Sequence, residues 1–317
     1  MPSSALVRDA HVREGEVDGY PSIVLDAGPT SATFVPGLGM LGTSLRHHGA
    51  EYVDLSGGAT RVLASHTTGL PLLAPWANRL SGDHYRVGRR TVDLSGAPGL
   101  HRDGDGLPIH GTMLGRAGWV VTRASSTSTG GARLTAHFDA AHDDAVMASF
   151  PFPHELGITA TVGPGRLEVT TTVTATSRTR VPVSFGWHPY FRLPDETTAD
   201  LQLHLPAWRR LQLDARMLPT GASVREPATQ RTLPPDGLDE AFALPSRGRS
   251  MTLSGRHHAL TLTPGAGYHF AQVYNPAGTG TVALEPMVAP IAGLGTPATP
   301  FVEPGDTYAA RFRVELH

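Results

Sequence analysis

The chain contains no cysteine. Disulfides, thiolate zinc sites, iron-sulfur clusters and cysteine nucleophiles are excluded together, so the fold must stand on its core. Lysine is missing too, all 26 basic residues being arginine. That removes Schiff-base chemistry, attachment of pyridoxal phosphate and the phosphate-binding Walker lysine. Charge of either sign is scarce: charged residues make up 17% of the chain and the formal net charge is -2. Neither nucleic acid nor an anionic membrane has an electrostatic foothold, and a small neutral ligand fits better. No stretch approaches the ~20 consecutive apolar residues of a membrane-spanning helix. The start Met1-Pro2-Ser3-Ser4 lacks the basic and apolar regions of a signal peptide. A soluble cytoplasmic protein is expected, and nothing in the sequence marks an oligomer interface.

What is present is glycine, 36 residues, and proline, 27, spread through the chain between short alternating segments. That is the pattern of antiparallel β structure. In Leu167-Glu168-Val169-Thr170-Thr171-Thr172-Val173-Thr174-Ala175, Leu167, Val169, Val173 and Ala175 fall on one face and Glu168, Thr170, Thr172 and Thr174 on the other. Leu201 to Leu205, Leu211 to Leu213, Leu260 to Leu262 and Tyr308 to Leu316 alternate similarly. Helical signals are confined to Ala140 to Ser149 and, as a single turn, to Pro235 to Ala243. The expected fold is all-β, a large antiparallel sandwich with few short helices, forming one domain over residues 1–317.

Several motifs carry little. Gly37-Leu38-Gly39-Met40-Leu41-Gly42 matches the dinucleotide pattern, but too few residues follow before Gly49 for a parallel crossover, so a turn between antiparallel strands is expected. Asp103-Gly104-Asp105-Gly106 resembles the start of a calcium loop, yet Leu114 stands where the bidentate glutamate belongs. None of the 16 histidines forms an H-x-x-x-H pair and no G-x-S-x-G elbow occurs, so no metal site and no hydrolase of that design are expected.

Chemistry concentrates elsewhere. His188 stands among rings in Gly186-Trp187-His188-Pro189-Tyr190-Phe191, where the proline withholds a ladder donor and ends or bulges the strand. Such rings suit the apolar faces of sugars, so Trp187 and Tyr190 are candidate contacts. Glu285 follows the apolar strand Thr281 to Leu284 and precedes Pro286. Arg79 follows Asn78 in one turn, His110 precedes Gly111 in another, and Asp239 lies in Leu238-Asp239-Glu240-Ala241-Phe242. In this order the motifs resemble those of the aldose 1-epimerase (galactose mutarotase) family over almost the whole chain.

The resemblance implies a galactose mutarotase-like supersandwich that holds a monosaccharide without metal or organic cofactor. By the same likeness Glu285 takes the proton from the anomeric hydroxyl and His188 delivers one to the ring oxygen. Arg79 and His110 hold ring hydroxyls and polarise the ring oxygen, while Asp239, with Asn78, Trp187 and Tyr190, completes the sugar site. Opening a hemiacetal needs one base and one acid. With ordinary pKa values near ~4.3 for glutamate and ~6.5 for histidine, both start in the right state at neutral pH. The chain departs from many relatives at Met287 after Glu285-Pro286, at Arg192 after Phe191, and at the bulky Trp187, positions expected to touch substrate choice. Arg192 keeps a hexose-phosphate mutarotase open. A non-catalytic sugar-binding module and a glycosidase using Glu285 with Asp239 are the readings from other classes.

Overall fold

The computed structural model describes residues 10–317. The opening Met1-Pro2-Ser3-Ser4 lies outside them. Every strand pair joined in its sheets is antiparallel, and the strands gather into sheets of five, nine and eight strands with three two-stranded pairs beside them. The nine-stranded sheet holds the longest alternating segments of the sequence, including Arg166–Ala175 and Thr307–Leu316, paired from Arg166↔Glu315 to Thr174↔Thr307. Along Arg166–Ala175 burial alternates strictly from Leu167 to Ala175, as the sequence pattern requires.

Two sheets face each other through an aromatic layer. Trp187 of the eight-stranded sheet packs edge-on against Phe312 of the nine-stranded one at 5.7 Å, and Phe185 packs against Tyr308 at 6.4 Å. One continuous core runs through all three large sheets, with Phe34, Ile158, Val169, Trp187, Val273, Leu284 and Phe312 among its members. Burying such side chains, at roughly 1.5–3 kcal/mol each, is what holds a cysteine-free chain together.

Helix is limited. Asp144–Ser149 is the α-helix expected near Ala140, started by Asp143, whose carboxylate accepts the Val146 amide at 2.9 Å. The turn of helix expected around Pro235 to Ala243 is instead the strand Leu238–Ala243, paired with Phe270–Asn275. Leu238 and Phe242 on one face and Asp239 on the other satisfy a period of two, and the pairing decides in its favour. The glycines after Val35 form a short 3-10 turn at Pro36–Leu38 that leads into an antiparallel neighbour, not a βαβ unit. No helix among the described residues is long and apolar enough to cross a membrane.

Candidate active site

Three adjoining strands of the eight-stranded sheet build one wall of a cleft. Val282–Met287 pairs with Phe270–Asn275 so that Glu285 stands opposite Gln272, and Phe270–Asn275 pairs with Leu238–Ala243 so that Tyr274 stands opposite Asp239. Alternation does the sorting. Leu284, Val273 and Phe242 enter the core, while Glu285, Gln272, Tyr274 and Asp239 line the cleft from the other face. Gln272 donates its side-chain amide to Asp239 Oδ1 and so fixes the carboxylate.

On its other side Val282–Met287 meets an interrupted strand. Gly186 pairs with Met287 and Tyr190 with Ala283, leaving His188 and Pro189 between the two ladders. The His188 amide finds the Pro71 carbonyl at 3.1 Å, so the break leaves no orphan donor. This break swings the imidazole towards its neighbour strand: His188 Nε2 lies 3.2 Å from Glu285 Oε1. Tyr190 stacks on the His188 ring at 4.5 Å between centroids, and its hydroxyl meets Thr67 Oγ1 at 2.7 Å.

Arg79 and His110 arrive on two turns. Asn78 adopts φ 58°, a left-handed conformation that asparagine tolerates, and its side-chain oxygen accepts the Arg79 amide at 2.8 Å and Arg79 Nη1 at 3.3 Å. Asp103 Oδ2 accepts Arg79 Nε at 2.6 Å from behind. His110 follows at φ 64°, its amide on the Asn78 carbonyl at 3.1 Å, and its ring meets His188 edge-on at 5.4 Å. Gly111, at φ 67°, comes so close to the Ala74 carbonyl that a Cβ would lie 2.1 Å from the oxygen. Only glycine lets the His110 turn sit there.

Burial governs the ionisation of the pair. It raises Glu285 well above the usual carboxylate range, with the Asp239 charge adding and Arg79 opposing, and it lowers His188 to about 3. The expectation from solution values, an ionised glutamate beside a charged histidine, is therefore corrected: desolvation favours a neutral pair. Both arrangements hold one proton, so the pair has one to give and one place to receive it. Burial likewise lowers His110 far below its ordinary value and raises Asp239, the Gln272 hydrogen bond and the Arg79 charge opposing the latter shift. Glu285 Oε2, His188 Nδ1 and His110 Nδ1 are buried with no hydrogen-bond partner among the described residues. Groups of this kind are what a polar ligand satisfies.

The cleft of about 320 Å³ thus gathers Asn78, Arg79, His110, His188, Tyr190, Asp239 and Glu285, at the small end of the ~300–1,000 Å³ common to ligand pockets. Trp187 is not among them. It is fully buried, and its indole donates to Thr171 Oγ1 at 2.9 Å, because the residue before His188 in a pleated strand points to the opposite face. Met287 is buried against Leu73, Ala77 and Leu114, and Arg192 lines a separate surface hollow beside Asp54. None of the three departures reaches the cleft. Gln272, Tyr274 and Thr67 line it without having stood out in the sequence, although Gln272 and Tyr274 are the polar alternates of an apolar strand.

The fold is that of the galactose mutarotase-like β-sandwiches. The chain is similar to a galactose mutarotase-like protein from Clostridium acetobutylicum, with a TM-score of 0.86 and 17% identity over 98% of this chain and 99% of that one. Galactose 1-epimerase from Lactobacillus acidophilus superposes with a TM-score of 0.75 at 16% identity, covering 97% and 98%. A galactose mutarotase-like protein from Lactobacillus casei does so with 0.73 at 21%, covering 93% and 100%. No curated protein matches the chain. The sequence profile of the aldose 1-epimerase family matches residues 22–315, and the chain belongs to that family.

Proposed function

We propose that the chain is an aldose mutarotase, which interconverts the α and β anomers of a monosaccharide by opening and reclosing its ring. The observation that carries this reading is the buried His188–Glu285 pair, 3.2 Å apart and set within a cleft of hydrogen-bonding groups. Ring opening takes a proton from the anomeric hydroxyl and gives one to the ring oxygen. Rotation about the C1 to C2 bond and the reverse transfers then deliver the other anomer. The net proton count of the protein is unchanged, as a pair that shares one proton requires.

A hydroxyl donating to Glu285 and a ring oxygen accepting from His188 both favour the charged forms of these groups, so a bound sugar offsets the desolvation that otherwise keeps them neutral. Glu285 then acts as base and His188 as acid, and the roles reverse on closure. Arg79 supplies fixed positive charge near the ring oxygen, while Asp239 and the neutral His110 bind further hydroxyls. Each assisted proton transfer is worth ~10²–10⁴-fold.

This reading is favoured over its rivals by particular residues. A hexose-phosphate mutarotase resting on Arg192 lacks support, because Arg192 is outside the cleft. A binding module has no use for a desolvated acid paired with an imidazole. Polarimetry of freshly dissolved α-D-glucose and α-D-galactose tests the proposal. Wild type should speed the drift to equilibrium and Glu285→Gln should lose at least ~10²-fold of the gain. Unchanged rates with wild type, despite sugar binding, would leave the binding module in its place.

A further inference from the structure

The cleft does not end at Tyr190 and Tyr274. Thr67, Tyr190 and Tyr274 line it on one side and, on the other, line a second depression of about 510 Å³, larger than the cleft itself. The outer walls of this depression are Asp54, Arg61, His66, Pro276, Thr279 and Thr281. None of these six takes part in the acid/base chemistry proposed above.

The depression has the chemistry of a polyhydroxyl site. Asp54 is held rigidly: its Oδ1 accepts the Ser56 amide at 2.8 Å and the Ser56 hydroxyl, and its Oδ2 accepts the Thr281 hydroxyl. Burial alone would raise Asp54, but these hydrogen bonds and the charge of Arg192 hold it below the usual carboxylate range, so it stays ionised. Arg61 is anchored through Nη1 to the Ser56 carbonyl at 3.0 Å and is near enough for its charge to act on Tyr190. The depression is thus lined by one anchored anion and one anchored cation, with the hydroxyls of Thr67, Thr279 and Thr281 also in its walls. Such a balance suits an uncharged group that both donates and accepts. A phosphate entering it would meet the Asp54 carboxylate, and a purely apolar group would strand both charges. Tyr274, half-buried and set at 80° to the Tyr190 ring, together with Pro276, adds the flat apolar surface on which a sugar ring packs.

We propose that this depression is a second glycosyl subsite, so that the preferred substrate is the reducing end of a disaccharide or longer glycan. The reducing sugar sits at His188 and Glu285, and the next residue, linked through a non-anomeric hydroxyl, lies across Tyr274 between Arg61 and Asp54. The inference rests on the mutarotase reading and extends it. Binding energy gathered at the remote residue can be used to position the reacting one.

The test follows anomer exchange by NMR, with the full chain, on glucose, galactose, maltose, lactose, melibiose and glucose 6-phosphate. At least one disaccharide should show kcat/KM roughly tenfold above its own reducing monosaccharide, the worth of one or two added hydrogen bonds. Arg61→Ala, which removes the donor, and His66→Trp, which fills the hollow from an exposed position, should each abolish that excess and leave monosaccharide rates within about twofold. Monosaccharide catalysis with no disaccharide excess, or an excess that survives both variants, overturns the subsite alone. An excess for glucose 6-phosphate that Arg61→Ala removes overturns it in favour of a phosphate site. No acceleration of any sugar overturns the mutarotase reading and the subsite with it.

Discussion

Asp103 is a positioning residue that never touches the cleft, and replacing it should show how much depends on the aim of Arg79. Its Oδ2 accepts Arg79 Nε at 2.6 Å, with the two side chains only 16% and 9% exposed for Arg79 and Asp103. Its Oδ1 also takes the amides of Asp105 at 3.0 Å and Leu107 at 2.9 Å, which shapes the turn of this segment. Burial alone would raise Asp103, but the Arg79 hydrogen bond and charge and the loop amides outweigh it and hold the carboxylate below its usual range. A hydrogen bond to a charged group at this degree of burial contributes ~1.5–3 kcal/mol. Asp103→Asn keeps an oxygen for the two amides and removes the charge that fixes Arg79. In the anomer-exchange assay it should lower kcat/KM by roughly tenfold, and the loss of the charged hydrogen bond should cost the fold ~1.5–3 kcal/mol in urea titration. Asp103→Ala loses the amide bonds as well and should cost a further ~1–2 kcal/mol of stability. In an Arg79→Ala background Asp103→Asn should add almost nothing, because its effect passes through Arg79. A folded Asp103→Asn protein with unchanged kcat/KM would refute the reasoning.

Two further outcomes concern residues outside the chemistry. Trp187→Phe removes the indole donor from the buried Thr171 hydroxyl and should destabilise the fold by ~1–3 kcal/mol in urea titration with kcat/KM unaltered. A kinetic defect without loss of stability would restore the sugar contact expected from the sequence. His154, buried and bonded through Nδ1 to the Phe152 carbonyl at 2.7 Å, is lowered from 6.5 to about 4 by that burial. The unfolded chain then takes up a proton that the folded state refuses. Stability is full above pH 6.5 and falls as pH drops towards 4, by at most about 3 kcal/mol for this group. His154→Gln should flatten that limb in thermal melts between pH 4 and 7, and an unaltered slope would count against the assignment. A single cooperative transition in the same melts would support one domain across the chain.

Much of the site was legible because its chemistry sits where strands break. Proline after His188 and glycine after His110 mark places where a ladder ends and a side chain can be aimed, whereas Glu285 lies within the strand Val282–Met287, opposite the break at His188, and all three line the cleft. Trp187 misled for the same reason. Its neighbours are cleft residues, but in an extended segment adjacent side chains take opposite faces, and only pairing with the second sheet reveals which face is the core. Gln272 and Tyr274 were hidden because a polar alternate on a half-buried strand looks the same whether it faces solvent or a cleft. Their role comes from register against Glu285 and Asp239, and register is a long-range property. The protonation states were beyond sequence too, since burial moves Glu285 and His188 in opposite directions from their solution values.

The decisive experiment is a double-mutant cycle on the pair itself: polarimetric rates for wild type, Glu285→Gln, His188→Asn and the double variant at equal protein and buffer concentrations. Residues that pass one proton between them act as a unit, so each single variant should lose nearly all of the rate gain and the double should be no slower than the worse single. Losses that multiply in the double variant, or a single variant that keeps most of the wild-type rate, would mean that His188 and Glu285 do not work as one acid/base pair.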